Sequence, residues 1–299
     1  MRFPVEARFY ETEPGVQVLV HSQRPAGKPA AEIILVHGLE GSSDAGYARS
    51  LAHAALKAGF AAHRFNMRSC AGTEHLSGKA LYHSGQTSDL LSVLHSIKDR
   101  APVFLAGFSL GGNVVLKLAG ELGEAAKGLI AGVTAVSAPI DLAACARRLQ
   151  ARSNFIYSNR FLKRLKQRIR LKERLTPGLF QLDDLDRVKS VYEFDDKFTA
   201  LAFGFGTADN YYATQSASQF LDRIRVPALL VQAKDDPLIP FDVYNHPAFS
   251  TNPWLRLLPV DHGGHLGFVA KTKPRFWLDE VLVQWMMKVR NKVPADLVL

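Results

Sequence analysis

The sequence has 299 residues, 47% of them hydrophobic, which predicts one large domain or one domain with an insertion. No stretch reaches the roughly 18 uninterrupted apolar residues of a membrane-spanning helix. The charged residues 1–8 lack the apolar run of a signal peptide. Two cysteines, Cys70 and Cys145, lie far apart in the chain, as in a reducing compartment without disulfides. We therefore expect a cytoplasmic protein, either free or bound peripherally to a membrane.

The net charge of +9 is concentrated in one segment. Residues 147–174 contain eleven Lys or Arg and a single acid, Glu173, which gives this segment a charge of +10. The rest of the chain therefore sums to −1. The basic character belongs to one local surface and excludes no fold class.

Strands and helices alternate in the first third of the chain. Residues 5–10 and 16–20 alternate in polarity on either side of Glu13-Pro14-Gly15, which predicts a hairpin. The later elements are predicted from short apolar runs and from helical spacing of apolar residues. They are strands over 33–36 and 60–65 and helices over 46–58 and 84–99.

The segment Gly107-Phe108-Ser109-Leu110-Gly111 has the Gly-x-Ser-x-Gly form of a nucleophile elbow. An apolar run over 102–106 predicts a strand before it, and an apolar helical pattern begins at Asn113. Small residues on both sides let strand and helix approach closely while the serine occupies a strained turn. The pentapeptide alone also fits a plain glycine-rich turn. The strand and helix around it favour Ser109 as a nucleophile.

The alternation predicts an α/β fold with a mostly parallel central sheet and helices on both faces. Further strands are expected over 129–136, 228–232 and 255–258, and a last helix over 274–290. The alternation of strands and helices is interrupted over 140–215. This interruption predicts a helical lid insertion within a single domain spanning 1–299.

A serine nucleophile needs a base and an orienting acid, which follow it in the order Ser, acid, His in this type of fold. The loop after strand 228–232 offers Asp235 and Asp236, and the loop after strand 255–258 offers His262 and His265. Two glycines before His265 favour it as the base. The spacing of the histidines is also that of two metal ligands, but without a third ligand nearby no metal site is expected.

The oxyanion of acyl transfer requires two hydrogen-bond donors. One is expected from the backbone N–H of Leu110, directly after the nucleophile. The other is expected from the backbone N–H of Leu39, in the loop after strand 33–36. His37 is expected to shape this loop without a direct role in the chemistry.

Several segments together resemble the YheT-like branch of the α/β-hydrolase superfamily, bacterial predicted esterases related to eukaryotic ABHD-type lipid esterases. The resemblance implies a carboxylic-ester hydrolase that needs no cofactor. It assigns a triad to Ser109, Asp236 and His265, with Asp236 opening the Asp-Pro-Leu-Ile-Pro segment of the acid loop. Ser69 departs from the family pattern, in which glycine is commoner at this position. The segments are 37–41, 66–70, 83–90, 107–113, 234–237 and 263–268.

The insertion contains a predicted basic amphipathic helix. Phe161, Leu165 and Ile169 recur at a spacing of four, with Leu162 beside them and Lys or Arg on the other faces. We expect this helix to pack its apolar stripe on the domain with its charges solvated, and the insertion to cover Ser109. Some of the aromatic residues of 192–212 would then line an acyl pocket.

The basic segment 147–174 could also contact an anionic membrane surface. Nucleic acid is not expected as a partner, because no helix-turn-helix, zinc or RNA-binding signature accompanies the charge.

The sequence therefore predicts a serine hydrolase that cleaves short- to medium-chain or lipid esters through an acyl-serine. The same triad would serve a thioesterase, an amidase or an acyltransferase. The alternative outside enzymes is a binder of anionic lipid surfaces that acts through the basic insertion. The sequence predicts no particular oligomeric state.

Overall fold

The structure, a computed structural model, describes residues 3–97 and 101–292. Within them, one sheet has the strand order β1-β2-β4-β3-β5-β6-β7-β8. Strand β1 is antiparallel to β2 and β2 is antiparallel to β4, whereas all later neighbours are parallel. The predicted mostly parallel sheet is confirmed. The strands are β1 (Glu6–Glu13), β2 (Val16–Gln23), β3 (Glu32–Val36), β4 (Ala61–Phe65), β5 (Val103–Phe108), β6 (Gly132–Val136), β7 (Ala228–Ala233) and β8 (Leu255–Val260).

Helices connect the parallel strands, as this strand direction requires. No helix within the described residues is both long enough and apolar enough to cross a bilayer. The helices are α1 (Gly46–Lys57), α2 (Ser88–Ile97), α3 (Leu110–Leu122), α4 (Leu142–Leu149), α5 (Phe155–Leu175), α6 (Leu182–Arg187), α7 (Val191–Phe194), α8 (Ala200–Ala202), α9 (Ala208–Gln215), α10 (Ala248–Thr251) and α11 (Trp277–Arg290).

Side chains alternate between the two faces of the sheet, so each strand contributes to two apolar layers. Ile33 and Leu35 of β3 are buried in the layer that holds α1 and α11. Ile34 and Val36 of the same strand are buried in the layer that holds α2 and α3. The predicted arrangement of helices on both faces is therefore confirmed.

Two predicted boundaries were wrong because residues at the ends of the predicted elements form hydrogen bonds outside the helix or strand. The helix expected over 84–99 begins at Ser88, since the Ser84 N–H donates to the Tyr211 hydroxyl at 2.7 Å. Its predicted last residues, 98 and 99, lie outside the described part of the chain. The strand expected over 129–136 begins at Gly132, because Leu129 closes a turn onto the Ala126 carbonyl at 2.9 Å.

The helices at the elbow and at the C-terminal end also differ from their predicted starts. Helix α3 begins at Leu110, three residues earlier than expected, because the helical turn follows Ser109 directly. Helix α11 begins at Trp277 rather than at residue 274. The residues before it belong to a loop, in which the Ala270 N–H donates to the Arg275 carbonyl at 2.9 Å.

Between β6 and β7 the chain forms α4 to α9 and no strand. Leu162, Leu165 and Ile169 of α5 are buried, as their spacing predicts. The expectation that the basic side chains of α5 are solvated was wrong for Lys172, which is fully buried. Its ammonium donates to the Glu74 carbonyl, the Ser77 hydroxyl and a further carbonyl at 2.7–2.8 Å. Burial lowers the pKa of Lys172 to about 8.

The contact between β5 and α3 leaves no room for side chains at two of the elbow positions. A Cβ atom on Gly111 would lie 2.3 Å from the Val36 carbonyl oxygen, and one on Gly107 would lie 2.2 Å from the Gly111 carbonyl oxygen. Both obstacles are backbone atoms, which cannot move aside without shifting the sheet. The two glycines therefore fix how closely helix and strand approach.

Replacement of Gly111 by alanine tests this packing. We expect Gly111→Ala to lower the free energy of unfolding by about 2 kcal/mol or more, because the new methyl group overlaps β3. Gly46→Ala is the matched control, since a Cβ there meets no atom within 4 Å. Urea denaturation should show Gly46→Ala equal to the wild type or slightly more stable. Equal midpoints for both variants would contradict the argument.

Candidate active site

Ser109 lies on the turn between β5 and α3 in a backbone conformation that few side chains adopt. Its φ is 52° and its ψ is −124°, and φ in this range costs free energy for a residue with a Cβ. The turn is held because the Ser109 N–H donates to the Val136 carbonyl at 2.8 Å and the Gly112 N–H donates to the Ser109 carbonyl at 2.7 Å. The strained turn presents the half-buried hydroxyl at the carboxyl end of the sheet.

His265 links Ser109 to an acid. Its Nε2 lies 2.9 Å from the Ser109 Oγ, and its Nδ1 lies 3.0 Å from the Asp236 Oδ2. The carboxylate accepts from Nδ1–H, which leaves Nε2 free to accept the serine proton. The three side chains come from three different strand ends and form a continuous hydrogen-bonded chain.

Asp236 is buried and receives several hydrogen bonds besides that of His265. Its Oδ1 accepts from the N–H groups of Leu238 at 2.8 Å and Ile239 at 3.1 Å. Its Oδ2 accepts from the Gln232 amide at 3.2 Å. These donors fix the orientation of the Asp236 carboxylate toward His265.

The alternative acid and base pair with each other instead. The His262 Nδ1 lies 3.2 Å from the Asp235 carboxylate, and both side chains are exposed. Asp235 also accepts from the N–H groups of Gly263 at 2.9 Å and Gly264 at 2.8 Å. The geometry therefore brings Asp236 and His265 to Ser109. Asp235 instead stabilises the loop before His265 through hydrogen bonds to its backbone.

Two backbone N–H groups beside Ser109 have no acceptor among the described residues. They belong to Leu39, in the loop after β3, and to Leu110, at the start of α3. Gly38 lets this loop approach Ser109 closely, because a Cβ atom at Gly38 would lie 3.1 Å from the Ser109 Cβ. Free donors at the N-terminus of a helix favour negative charge.

His37 fixes the loop that carries Leu39. The Met67 N–H donates to its Nε2 at 3.2 Å, and its Nδ1–H donates to the Gly38 carbonyl at 2.8 Å. These partners require the neutral ring, and burial lowers the pKa of His37 to about 4. The Tyr47 hydroxyl accepts from the Gly38 N–H at 3.0 Å and secures the same turn.

An ion pair from the insertion holds the next residue of this loop. Arg168 of α5 donates to both oxygens of the Glu40 carboxylate, at 2.8 and 2.9 Å. The Tyr82 hydroxyl donates to Glu40 at 2.8 Å, and the Arg168 guanidinium stacks 5.2 Å from the Tyr82 ring centre. Because Glu40 has a φ of 53°, these contacts hold a turn with little conformational freedom. Arg168, like Lys172, is an exception to the expected solvated charges.

Ser109 and His265 line a mostly apolar cavity, to which the segment between β6 and β7 also contributes side chains. Asp195 is the acidic side chain among its lining residues. The apolar lining comes from α4, α5, α7 and the segment after Asp236, and includes Leu142, Leu149, Phe161, Ile169, Phe194 and Ile239. Among the described residues, no group of three His, Cys, Asp or Glu is placed to hold a metal ion.

Sequence reasoning missed the groups that support the site. The sequence pattern places Gln232 in a strand and Tyr47 in a helix and predicts no further role for either residue. Gln232 carried a signal, because it is a polar residue in an otherwise apolar strand directly before the acid loop. Tyr47, Tyr82 and Arg168 carried none, since their partners are far away in the sequence.

The fold is that of a known family. A family model of the alpha/beta hydrolase fold matches residues 32–272. The chain therefore belongs to the α/β-hydrolase family. It is similar to the predicted esterase YheT of Escherichia coli strain K12, with 33% identity over 90% of this chain and 80% of YheT. The resemblance to the YheT-like branch is confirmed.

Two further relatives extend the comparison. Mouse phospholipase ABHD3 is 30% identical over 85% of this chain, which spans 62% of that protein's length. The Pyrococcus furiosus esterase Pf2001 superposes with a TM-score of 0.63 at 17% identity, over 96% of this chain and 92% of that structure. Fold and relatives together identify a hydrolase of the esterase and lipase type.

The buried neutral state of His37 predicts a dependence of stability on pH. An unfolded histidine binds a proton below about pH 6.5, whereas His37 stays neutral down to about 4. The unfolded chain binds more protons in this window, so stability falls as the pH falls from 6.5 to 4, by about 3 kcal/mol from His37 alone. His37→Gln should remove that part of the loss in urea titrations at several pH values.

His83 limits how much of the loss the His37→Gln variant can remove. Burial lowers the pKa of His83 to about 3, so it contributes in the same direction and part of the loss remains. His53→Gln is the matched control, because His53 is exposed. An unchanged pH slope in His37→Gln would contradict the assignment.

Proposed function

We propose that this chain hydrolyses carboxylic esters through an acyl-serine at Ser109. The proposal rests on one observation, the unbroken chain of hydrogen bonds from Ser109 through His265 to Asp236. His265 takes the Ser109 proton as Oγ attacks the ester carbonyl, and Asp236 stabilises the imidazolium that forms. The proton then passes from His265 to the departing alcohol, which leaves the acyl group on Ser109.

The second half of the reaction uses the same groups. A water molecule gives its proton to His265 and attacks the acyl-serine, and the acid product leaves as Ser109 regains its proton. Both steps pass through a tetrahedral oxyanion, which the N–H groups of Leu39 and Leu110 stabilise. That neither donor has an acceptor among the described residues supports this role.

The cavity supports a proposal for the substrate class. An apolar lining beside Ser109 suits a short- to medium-chain acyl group or a lipid ester. We propose that the chain is a single domain, 1–299, in which residues 140–215 form the lid over this pocket. A lining drawn largely from α4, α5 and α7 supports this. The relative ABHD3 is named as a phospholipase, in agreement with a lipid ester.

Hydrolysis of a series of p-nitrophenyl esters, from acetyl to palmitoyl, tests the triad. Ser109→Ala should lose about 10⁴-fold or more of kcat, and Asp236→Asn about 10⁴-fold, because the His265 ring loses its correct tautomer. The matched control is Asp235→Asn. This variant keeps an acceptor for the Gly263 N–H, and its kcat should fall by less than about tenfold.

The histidines provide a second matched pair. His265→Gln should be inactive, whereas His262→Gln should retain activity, since His262 contacts Asp235 rather than Ser109. If Asp235→Asn and Asp236→Asn lose activity equally, our assignment of the acid is wrong. If the folded wild type cleaves thioesters or amides but no ester, the leading function passes to a thioesterase or an amidase.

A second candidate function is docking on anionic membranes through the segment 147–174. The start of α5 exposes Phe155 by 66% and Ile156 by 79%, and the exposed cations Arg152, Arg160 and Lys163 flank them. Apolar side chains surrounded by cations are the pattern of an interfacial helix.

The place of this patch in the fold favours a role in delivering lipid substrate. The Asn154 amide, directly before Phe155, donates to the Pro237 carbonyl at 2.8 Å. Pro237 follows Asp236 in the chain. The exposed patch therefore lies beside the loop that carries the proposed catalytic acid.

Vesicle flotation tests the docking proposal. The wild type should bind phosphatidylcholine vesicles that contain phosphatidylglycerol, and added salt should weaken the binding. Replacing Phe155 and Ile156 together by serine should weaken binding by about tenfold or more. Leu201→Ser is the matched control, because Leu201 is 62% exposed but lies in α8. Equal binding by all three proteins, or none by the wild type, would overturn the proposal.

A further inference from the structure

The cavity beside Ser109 contains a carboxyl group that the proposed reaction does not use. Asp195 follows α7 and begins a π-helical turn over Asp195–Thr199. Such turns are rare and occur often at functional sites. The side chain lines the same cavity as Ser109 and His265, among predominantly apolar residues.

The hydrogen bonds of Asp195 leave part of its acceptor capacity free. The Tyr212 hydroxyl donates to Oδ2 at 2.6 Å, and the Thr199 hydroxyl donates to Oδ1 at 2.7 Å. A carboxylate has about four acceptor positions, so each oxygen can accept one more hydrogen bond. Since Asp195 lines the cavity, a molecule bound there can supply the missing donors.

The Asp195 carboxylate lacks a counter-ion within the described part of the chain. No Lys, Arg or His of the described residues lies within ion-pair distance of Asp195. Arg168 lines the same cavity, but its guanidinium is engaged by Glu40. Loss of hydration raises the pKa of Asp195 to about 6. An unpaired carboxylate in apolar surroundings costs free energy unless further hydrogen bonds compensate it.

The neighbours of Asp195 hold it in a fixed position. Tyr212 packs against the Tyr211 ring with 5.1 Å between the ring centres. The Tyr211 hydroxyl donates to the Ser84 hydroxyl at 2.7 Å, in the loop before α2. The carboxylate is therefore oriented before any ligand enters, which lowers the entropic cost of binding a donor.

We propose that Asp195 is a specificity site for a hydrogen-bond donor, a hydroxyl or an amine, on the acyl chain of the substrate. This inference rests on the proposed ester hydrolysis at Ser109 and narrows its substrate class to acyl chains that carry such a group. The donor binds the free acceptor positions of Asp195 while the rest of the chain contacts the apolar wall. Plain acyl chains leave those positions unsatisfied.

The test compares plain p-nitrophenyl decanoate with decanoates that carry one hydroxyl at successive carbons from mid-chain to the end. At one position, the wild type should hydrolyse the hydroxylated ester with a kcat/KM at least equal to that of the plain ester. Asp195→Leu should reduce the ratio of hydroxylated to plain kcat/KM about tenfold to hundredfold, because the donor loses a charged acceptor. A parallel series with amino groups shows which of the two donors the site takes.

Control variants separate recognition from a purely structural role. Asp195→Asn is nearly isosteric and should lower the ratio to an intermediate value, which keeps the test open should Asp195→Leu fail to fold. Asp196→Asn should leave the ratio unchanged, because Asp196 does not line the cavity and accepts from the Ala208 N–H at 2.9 Å. Equal losses for plain and hydroxylated esters in the Asp195 variants would mean that Asp195 serves only to tie Thr199 to Tyr212.

The outcomes also distinguish this inference from the proposed function. If the wild type hydrolyses the plain ester and Ser109→Ala does not, ester hydrolysis stands whatever Asp195 does. If the ratios of the wild type and Asp195→Leu are then equal for every position and both donors, the specificity site is refuted. If the wild type hydrolyses no ester, the proposed function itself fails.

Discussion

The site depends on how closely the backbone of α3 approaches the carboxyl ends of β3 and β5. Gly111 faces the Val36 carbonyl at a distance that admits no side chain. That one contact places the turn at Ser109, the N–H of Leu110 and the loop after β3 within reach of each other. The proposed nucleophile and both proposed oxyanion donors are thus positioned by contact of main chain with main chain, where no side-chain rotation can relieve an overlap.

Much of the fold could be predicted from the sequence because its determinants are local. Buried parallel strands appear as short apolar runs, as in β3, and the Gly-x-Ser-x-Gly turn joins a strand to a helix in one continuous segment. The acid and base loops follow apolar strands, so their candidates could be reduced to two each. The choice between Asp235 and Asp236 needed the resemblance, since both residues lie in the loop after the same strand.

Features that depend on distant partners could not be predicted. Helical spacing places Lys172 on the apolar stripe of α5, three residues after Ile169, and Arg168 at its edge, but it does not show which groups could pair with cations there. Both cations are buried because Glu40 and the segment 74–78 provide acceptors for them, 128 and 94–98 residues away in sequence. The same holds for the start of α2, where a tyrosine of the insertion captures the N–H of Ser84. The basic segment 147–174 therefore contains buried as well as exposed cationic side chains, and its total charge overstates its exposed charge.

The ion pair between Arg168 and Glu40 also limits how such a protein can diversify. Insertions of this kind are the natural place for changes in substrate range, because they line the pocket and lie outside the sheet. Here the insertion also holds the loop that carries Leu39. An exchanged segment without a cation at this place would leave the buried Glu40 carboxylate without an ion pair beside the proposed reaction centre. New substrate ranges are therefore most accessible through substitutions at cavity positions such as Leu149 and Phe161, with Arg168 retained.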